Sequence, residues 1–302
     1  MKINWWPVVL LGLVTVFCTS VGVQAATVSW WRFEAGQDTN PSATGFSNPN
    51  EVSGGQAMVS SNATLGTNTP DLFAAVVPGP NVPNTGSVRS AVNGASTDGI
   101  FGSAGYDSVL NVNSITVEFW MRTTESEAGF VARTTNSANS GESGSLTDGF
   151  RIVDPENVRV EYYTSNNGGG NVTLRTMTSG VAVNDGEWHY IAFTYDYATG
   201  VGKLYIDDVN NPVEERNDNN NRRLYWGNNS AQPGVHIGYR MDGDPNNQTG
   251  TLDEIRFTNL ALPPSELLIV PEASQMVALV TLLGLITFGT LRARRRSLTT
   301  GS

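Results

Sequence analysis

Asp242, Asp244, Asn246 and Asp253 stand at positions 1, 3, 5 and 12 of a loop. That spacing presents oxygen ligands to Ca²⁺ in a twelve-residue calcium loop. Position 6 is Asn247, where such a loop wants Gly, and the flanks do not read as helices. A polar turn before the last strand is therefore the plainer reading. Paired carboxylates are the other chemistry to look for, because glycosidic hydrolysis needs two of them converging on one bond. The nearest acidic pairs are Glu125 with Glu127, Asp207 with Asp208, and Asp253 with Glu254. Asp207-Asp208 leads into Val209-Asn210-Asn211 and reads as a turn. The two histidines, His189 and His236, cannot form an HExxH metalloprotease motif. No catalytic residue is assigned.

Ligand binding without catalysis asks for aromatic faces beside hydrogen-bonding groups, since a ring stacks on a sugar while Asn and Asp accept its hydroxyl hydrogens. Tyr162 and Tyr163 sit beside an Asn-rich turn, as do Tyr225 and Trp226, and Tyr239 precedes the Asp242 loop. These five are the candidate ligand-binding residues. The bland alternative is that half of them face the core.

The elements that must position these residues read as strands. Ile115 to Arg122 alternates, with Ile115, Val117, Phe119 and Met121 on one face and Thr116, Glu118, Trp120 and Arg122 on the other. Phe150 to Val153 and Val158 to Tyr163 flank Asp154-Pro155-Glu156-Asn157 and predict a hairpin. Trp188 to Asp196 and Val201 to Asp208 predict a second one. Thr27 to Glu34, Asn171 to Met177, Val235 to Tyr239 and Thr251 to Phe257 are further strands. The stretch from Asp38 to Ser108 is dense in Asn, Ser, Gly, Thr and Pro, so loops with a few short strands are expected there. Pro263 to Leu267 has room for one short helical turn.

Four blocks carry a family resemblance. They are Trp30-Trp31-Arg32-Phe33-Glu34; Ser114 to Trp120; Asp185-Gly186-Glu187-Trp188-His189-Tyr190 through Asp196 with Gly202 to Asp208; and Gly250 to Phe257 with Asn259 to Leu262 and Ser265 to Leu267. Their order and spacing resemble laminin-G-like, concanavalin A-like domains. The resemblance implies an all-β, two-sheet antiparallel jelly-roll sandwich with first and last strands adjacent, a habit of binding glycans or proteins, and Ca²⁺ in some members. It also offers a second metal site, in which Glu34 on the first strand and Asp253 on the last share one ion. Trp120 and Trp188 are expected to fill the space between the sheets. Retaining glycosidases of this architecture place their acids as Glu-x-Asp-x-x-Glu, a pattern absent here.

The ends carry addresses. Lys2, the apolar stretch from Trp5 to Val23 and the small residues of Val23-Gln24-Ala25 read as a secretion signal cleaved after Ala25. Val270-Pro271-Glu272-Ala273-Ser274 precedes an apolar run from Gln275 to Leu291 and the cluster Arg292, Arg294, Arg295 and Arg296. A run that long sits at the short end of what spans a bilayer, and the arginines hold their end in the cytoplasm. The order resembles the PEP-CTERM sorting signal, which implies an exosortase-type sorting enzyme as partner. Here Ala273 replaces the second Pro, and a plain single-span anchor is the alternative. The expected organisation is thus a signal over 1–25, one jelly-roll domain over 26–268, and a sorting tail over 269–302.

Cys18 lies inside the signal and is the only cysteine, so the mature body has no thiol. The chain carries a formal net charge of −10. Without Lys2, Glu272 and the four tail arginines, thirteen basic and twenty-seven acidic side chains remain, a balance of −14. Such a body repels phosphate backbones, which excludes nucleic acid as a natural partner. It argues against acidic glycans too, unless Ca²⁺ bridges them. The expectation is an exported, surface- or matrix-associated binding module for an extracellular polysaccharide or a surface protein. A structural matrix protein with no discrete ligand is the main rival, and a divergent glycoside hydrolase the lesser one. A concave sheet lined with aromatics would favour the first, a sheet face covered by its own loops the second, and two carboxylates about 5–10 Å apart in a groove the third.

Overall fold

A computed structural model describes residues 25–34, 46–60, 63–66, 87–90, 102–126, 129–133, 148–166, 172–218, 223–227, 234–239 and 250–268. Within them the chain is two antiparallel sheets facing each other across one apolar core. The first sheet runs in the order β14 (Glu214–Asn217), β13 (Val201–Ile206), β12 (Trp188–Asp196), β7 (Ile115–Thr123), β17 (Gly250–Thr258), β5 (Ser87–Ser90) and β4 (Ala63–Gly66). β1 (Thr27–Trp31) pairs with β17 on the edge that β5 shares. The second sheet runs β11 (Thr173–Thr178), β10 (Arg159–Ser165), β9 (Phe150–Val153), β8 (Gly129–Arg133), β16 (Val235–Tyr239), β6 (Gly102–Ala104), β3 (Met58–Ser60) and β2 (Phe46–Asn48). β15 (Arg223–Leu224) adds to β10. This is the expected all-β, two-sheet architecture, with first and last strands paired.

Local chemistry explains the hairpins. Between β12 and β13, Asp196 accepts from the Ala198 N–H and the Thr199 hydroxyl, and Gly200 closes the turn at φ +71°. A non-glycine residue would be strained there. Ile191 then faces Ile206 and Phe193 faces Leu204. Between β9 and β10 the turn opens on Asp154 at φ +70°, and the Asn157 N–H returns to the Asp154 carbonyl. Both predicted hairpins are present. The Asp38 to Ser108 region contributes β2 to β6 as the expected short strands. β8, β14 and β15 were not anticipated; each is short or carries no clear alternation.

The core holds Trp31, Phe119, Phe150, Tyr162, Phe193, Tyr195 and Phe257 among others. Each large ring removed from water stabilises by roughly 2–3 kcal/mol. Trp31 meets Phe257 edge-on at 5.9 Å between first and last strands. Trp120 corrects an expectation. It is buried, but on the outer side of the first sheet, not between the sheets. The reason is the segment 259–268, which folds back over that outer side. Leu262, Leu267 and Leu268 pack there with Trp120, Tyr190, Ala192, Tyr205 and Val209, and Trp30 and Trp188 lean against the cluster. A single turn of 3-10 helix, Pro264–Glu266, lies within this strap.

The strap explains why β7 is buried on both faces although its sequence alternates. Thr116 donates its hydroxyl to the Leu260 carbonyl at 2.7 Å and accepts the Leu262 N–H at 2.9 Å. Glu118 is fully buried, yet its carboxylate is satisfied. It takes Arg256 Nε at 2.6 Å on Oε1, and the Tyr190 hydroxyl at 2.5 Å and the Leu268 N–H at 2.7 Å on Oε2. Arg256 also donates to the Glu266 carbonyl. A buried charge is tolerable only with such partners. Burial and the adjacent Glu118 carboxylate push the Tyr190 hydroxyl's pKa well up, so the phenol stays a donor.

No helix among the described residues is long and apolar enough to cross a membrane. The signal segment before Ala25 and the tail 269–302 lie outside the described residues.

Candidate functional site

Successive residues on a strand point to opposite faces, and β10 therefore separates the adjacent tyrosines. Tyr162 points inward and is fully buried, its ring against Phe193 and Tyr195 at 5.2 and 5.3 Å. Its hydroxyl donates to Asp218 Oδ2 at 2.7 Å. Asp218 also pairs with Arg216 at 2.7 Å and Arg175 at 3.2 Å. Tyr162 is thus a core residue, not a ligand contact, and the sequence expectation is corrected. Burial raises its phenol's pKa far above the ordinary value.

Tyr163 points outward and is half-buried. Its N–H donates to the Gly149 carbonyl, and its own carbonyl accepts the Tyr225 N–H, each at 2.9 Å. Tyr225 stands where β15 continues the rung, with Leu224 buried inward before it, so Tyr225 shares the outer face with Tyr163. On the other side of Tyr163 the rung is completed by Leu174 of β11. Leu174 is 40 % exposed and Val172 beside it 38 %. Burial and Glu161 raise the Tyr163 hydroxyl's pKa, so it too is a neutral donor.

Trp226 is partly buried and packs against the core. Its Nε1 donates to the Val112 carbonyl at 2.9 Å, its ring meets Phe150 edge-on, and Arg133 stacks 4.2 Å from its centre. The ring closes one end of the core. Arg133 is itself buried, and desolvation lowers its pKa to about 10. Gly227 follows at φ +80°, where a Cβ would lie 2.4 Å from Asp148 Oδ2. The chain can turn past Asp148 there only as glycine. Tyr239 falls on β16 opposite Gly129, and its side chain lies outside the described residues.

The row next to Tyr163 is charged. Thr176, Glu161, Arg151 and Ala132 are successive cross-strand neighbours on the outer face. Glu161 takes Arg151 Nε at 2.6 Å and pairs with Arg159 Nε at 3.2 Å. Exposed Thr176 and Thr178 border it on β11. Along β11 this outer face is exposed at Leu174, Thr176 and Thr178, while inward from that edge Glu161 and Ala132 are buried; the strap covers Trp120 and Tyr190 on the first sheet's outer face.

The candidate metal ligands separate. Asp242, Asp244 and Asn246 lie outside the described residues. Glu34 and Asp253 are both buried near the paired first and last strands. Glu34, however, holds Arg32 at 2.7 Å, and the same guanidinium reaches Glu254 at 3.0 Å. Asp253 Oδ1 accepts the Glu254 N–H. Glu254 sits at φ +50° in a bulge of β17 against β7, with Trp30 Nε1 at 2.7 Å. Desolvation raises its pKa to about 7, against the favourable charge of Arg32. Glu34 thus already has a cation beside it, which a shared Ca²⁺ would have to displace. Among the described residues no group of three or more His, Cys, Asp or Glu side chains is placed to hold a metal ion.

Glu127, of the Glu125 and Glu127 pair, lies outside the described residues, and Asp207 and Asp208 have local partners. Asp207, at φ +57°, accepts the Tyr190 N–H and His189 Nδ1, and Asp208 accepts Asn210 and Asn211. The expected turn is there. His189 lies between Asp207 at 2.7 Å and Asp185 at 3.0 Å, which raises its pKa to about 9. Both ring nitrogens are engaged, so this imidazolium ties a turn to a strand. The strap network of Glu118, Tyr190 and Arg256 was missed from sequence. Its only signals were an acid at an alternate position of β7 and an Arg in the last strand.

A family model described as Laminin_G_3, concanavalin A-like lectin/glucanases superfamily, matches residues 93–268. No curated protein matches. Among solved structures, the binding domain of Paraclostridial Mosquitocidal Protein 1 is similar at 14 % identity and TM-score 0.45, over 79 % of this chain and 49 % of that one. The Botulinum neurotoxin serotype G binding domain is similar at 11 % identity and TM-score 0.45, over 80 % and 49 %. The chain thus spans about half the length of these toxin domains. The Ruminococcus gnavus IT-sialidase CBM40 is similar at 15 % identity and TM-score 0.40, over 53 % of this chain and 84 % of that one.

Proposed function

The chain belongs to the concanavalin A-like lectin/glucanases superfamily, and from that premise we propose that it is a non-enzymatic binding module that takes a polysaccharide on the outer face of its second sheet, at the edge formed by β10 and β11. One observation carries this reading: Tyr163 and Tyr225 share an outward rung with Leu174 beside a charged row, while the first sheet's outer face is occupied by residues 259–268. Tyrosine supplies a flat apolar face with a polar end, and the neighbouring Thr, Glu and Arg side chains supply hydroxyl partners. A surface protein is the second ligand class for the same face.

The proposal includes an exported location, with the N-terminal segment as signal and the tail 269–302 as a membrane anchor or a substrate of an exosortase-type sorting enzyme. Ca²⁺ belongs to the proposal at the Asp242 to Asp253 loop. The rival reading, a matrix protein with no discrete ligand, draws on the covered face of the first sheet; the outward, partly exposed rung of Tyr163, Tyr225 and Leu174 weighs against it. Screening the full-length chain against a glycan array, alongside Tyr163→Ala and Tyr225→Ala, tests the reading. Binding that falls at least tenfold in both variants is expected. Binding untouched by either, or none to any glycan or extracellular protein tried, contradicts it.

A further inference from the structure

The strap fixes the point at which the chain leaves the domain. Leu267 and Leu268 are buried on the outer side of the first sheet with Trp120 and Tyr190. Glu118, which accepts the Leu268 N–H, lies on β7, and β7 has three strands on either side of it in the sheet order. The last described residue is therefore held over the middle of that sheet, whereas Tyr163 and Leu174 face outward from the other one. Ala26 exchanges hydrogen bonds with Asn259, at the start of the strap, so the domain begins and ends on the same sheet. Trp30 and Trp188 lean on the strap's cluster and stay partly exposed, and tryptophan is favoured at a membrane surface.

Residues 269–274 alone separate Leu268 from the apolar run that opens at Gln275. Even fully extended, that stretch reaches at most about 25 Å. The shortest way round the sandwich follows β7 to its start at Ile115, three residues from Glu118, which is about 10 Å along the strand. A further step of about 10 Å separates the two sheets. Leu268 itself starts a layer further out, above the first sheet's side chains. The reach is spent before the second sheet's outer side chains are passed. An apolar run that enters a bilayer must then enter it from the first sheet's side.

We infer that the first sheet's outer face, with its strap, is the surface that lies against the membrane, and that the β10 and β11 edge bearing Tyr163 and Leu174 is presented away from it. This rests on the reading of residues 275–291 as an anchor. The partner of the strap face is a lipid bilayer surface. The consequence is that ligand is taken from the surrounding medium or matrix and not from the headgroups of the anchoring membrane.

The test places a fluorescent donor at one exposed position at a time in the full chain, with Cys18→Ser removing the native thiol: Ser265→Cys on the strap, or Thr176→Cys on β11. Each protein is reconstituted into phosphatidylcholine vesicles that carry an energy acceptor on the lipid headgroup, and is floated on a density gradient. Transfer should be at least about three-fold more efficient from position 265 than from position 176, because the two faces differ in depth by more than the spacing of about 10 Å between sheets. Thr178→Cys, exposed on the same strand, should repeat the Thr176→Cys value. Equal transfer from the two faces, or more from β11, in protein that floats with the vesicles overturns the inference and leaves the anchor standing. Protein that does not float overturns the inference and the anchor together, and leaves glycan binding at β10 and β11 to its own screen.

Discussion

The carboxylate of Glu118 accepts the backbone N–H of Leu268 at 2.7 Å, across 150 residues of sequence. That contact joins the centre of the first sheet to the last described residue. It ties the strap to the outer side of the first sheet, which the strap covers. Removing one partner of a buried ion pair leaves the other uncompensated. Glu118→Ala should therefore destabilise by about 3–5 kcal/mol, read from denaturant unfolding. A loss under 1 kcal/mol would mean the strap is held by apolar contact alone.

Tyr162 and Tyr163 should separate cleanly. Tyr162→Phe removes the hydroxyl that Asp218 accepts and leaves that buried carboxylate to Arg216 and Arg175. A cost of about 1–2 kcal/mol in stability, with ligand binding unchanged, is expected. Tyr163→Ala should do the reverse, losing ligand with little change in stability. Exchanged phenotypes would put the wrong face outward.

Stability should fall on the alkaline side through His189. Its folded pKa is raised to about 9 by Asp207 and Asp185, whereas an unfolded histidine titrates near 6.5. The folded state holds the proton more tightly, so the contribution is complete below about pH 6.5 and is lost as pH rises through about 9. A melting curve for His189→Gln should lose that part of the wild-type slope between pH 7 and 9. Identical slopes would dismiss the ion pair.

Gly227→Ala puts a Cβ against Asp148 at positive φ. A loss of roughly 1–3 kcal/mol is expected from backbone strain at such a position, along with reduced ligand affinity, since Tyr225 and Trp226 sit on this turn. Unchanged stability by thermal melting would show that Asp148 yields.

Calcium is testable directly. A melting temperature several degrees higher in millimolar Ca²⁺ than in EDTA, abolished in Asp244→Ala, is the outcome the proposed loop requires. Retention of the shift in Asp244→Ala but not in Glu34→Gln would move the ion to the first and last strands. No shift would remove the metal from the account.

Much of the fold was legible in sequence because strands announce themselves locally. The WHYIAFTYD and VGKLYIDD runs, with Gly200 between them, predict a hairpin, and β12 and β13 form it. The strap was not legible. Its apolar residues are few, Leu262, Leu267 and Leu268, and their partner surface assembles from β7, β12 and β13 only in three dimensions. For the same reason Trp120 was placed between the sheets: alternation tells that two faces exist, not that both are covered. Choosing among aromatics failed at Tyr162, where adjacency to Tyr163 hid which ring faces inward. The metal loop shows the opposite limit, since a ligand spacing in sequence says nothing of whether its oxygens converge.

The most direct test of the central claim is a hydrogen-exchange footprint of the bound polysaccharide. Ligand should slow backbone exchange at β10, β11 and the Tyr225–Gly227 turn and leave the strap and β12 unchanged. Protection concentrated on residues 259–268 and β12 instead would place the ligand on the first sheet and contradict the account.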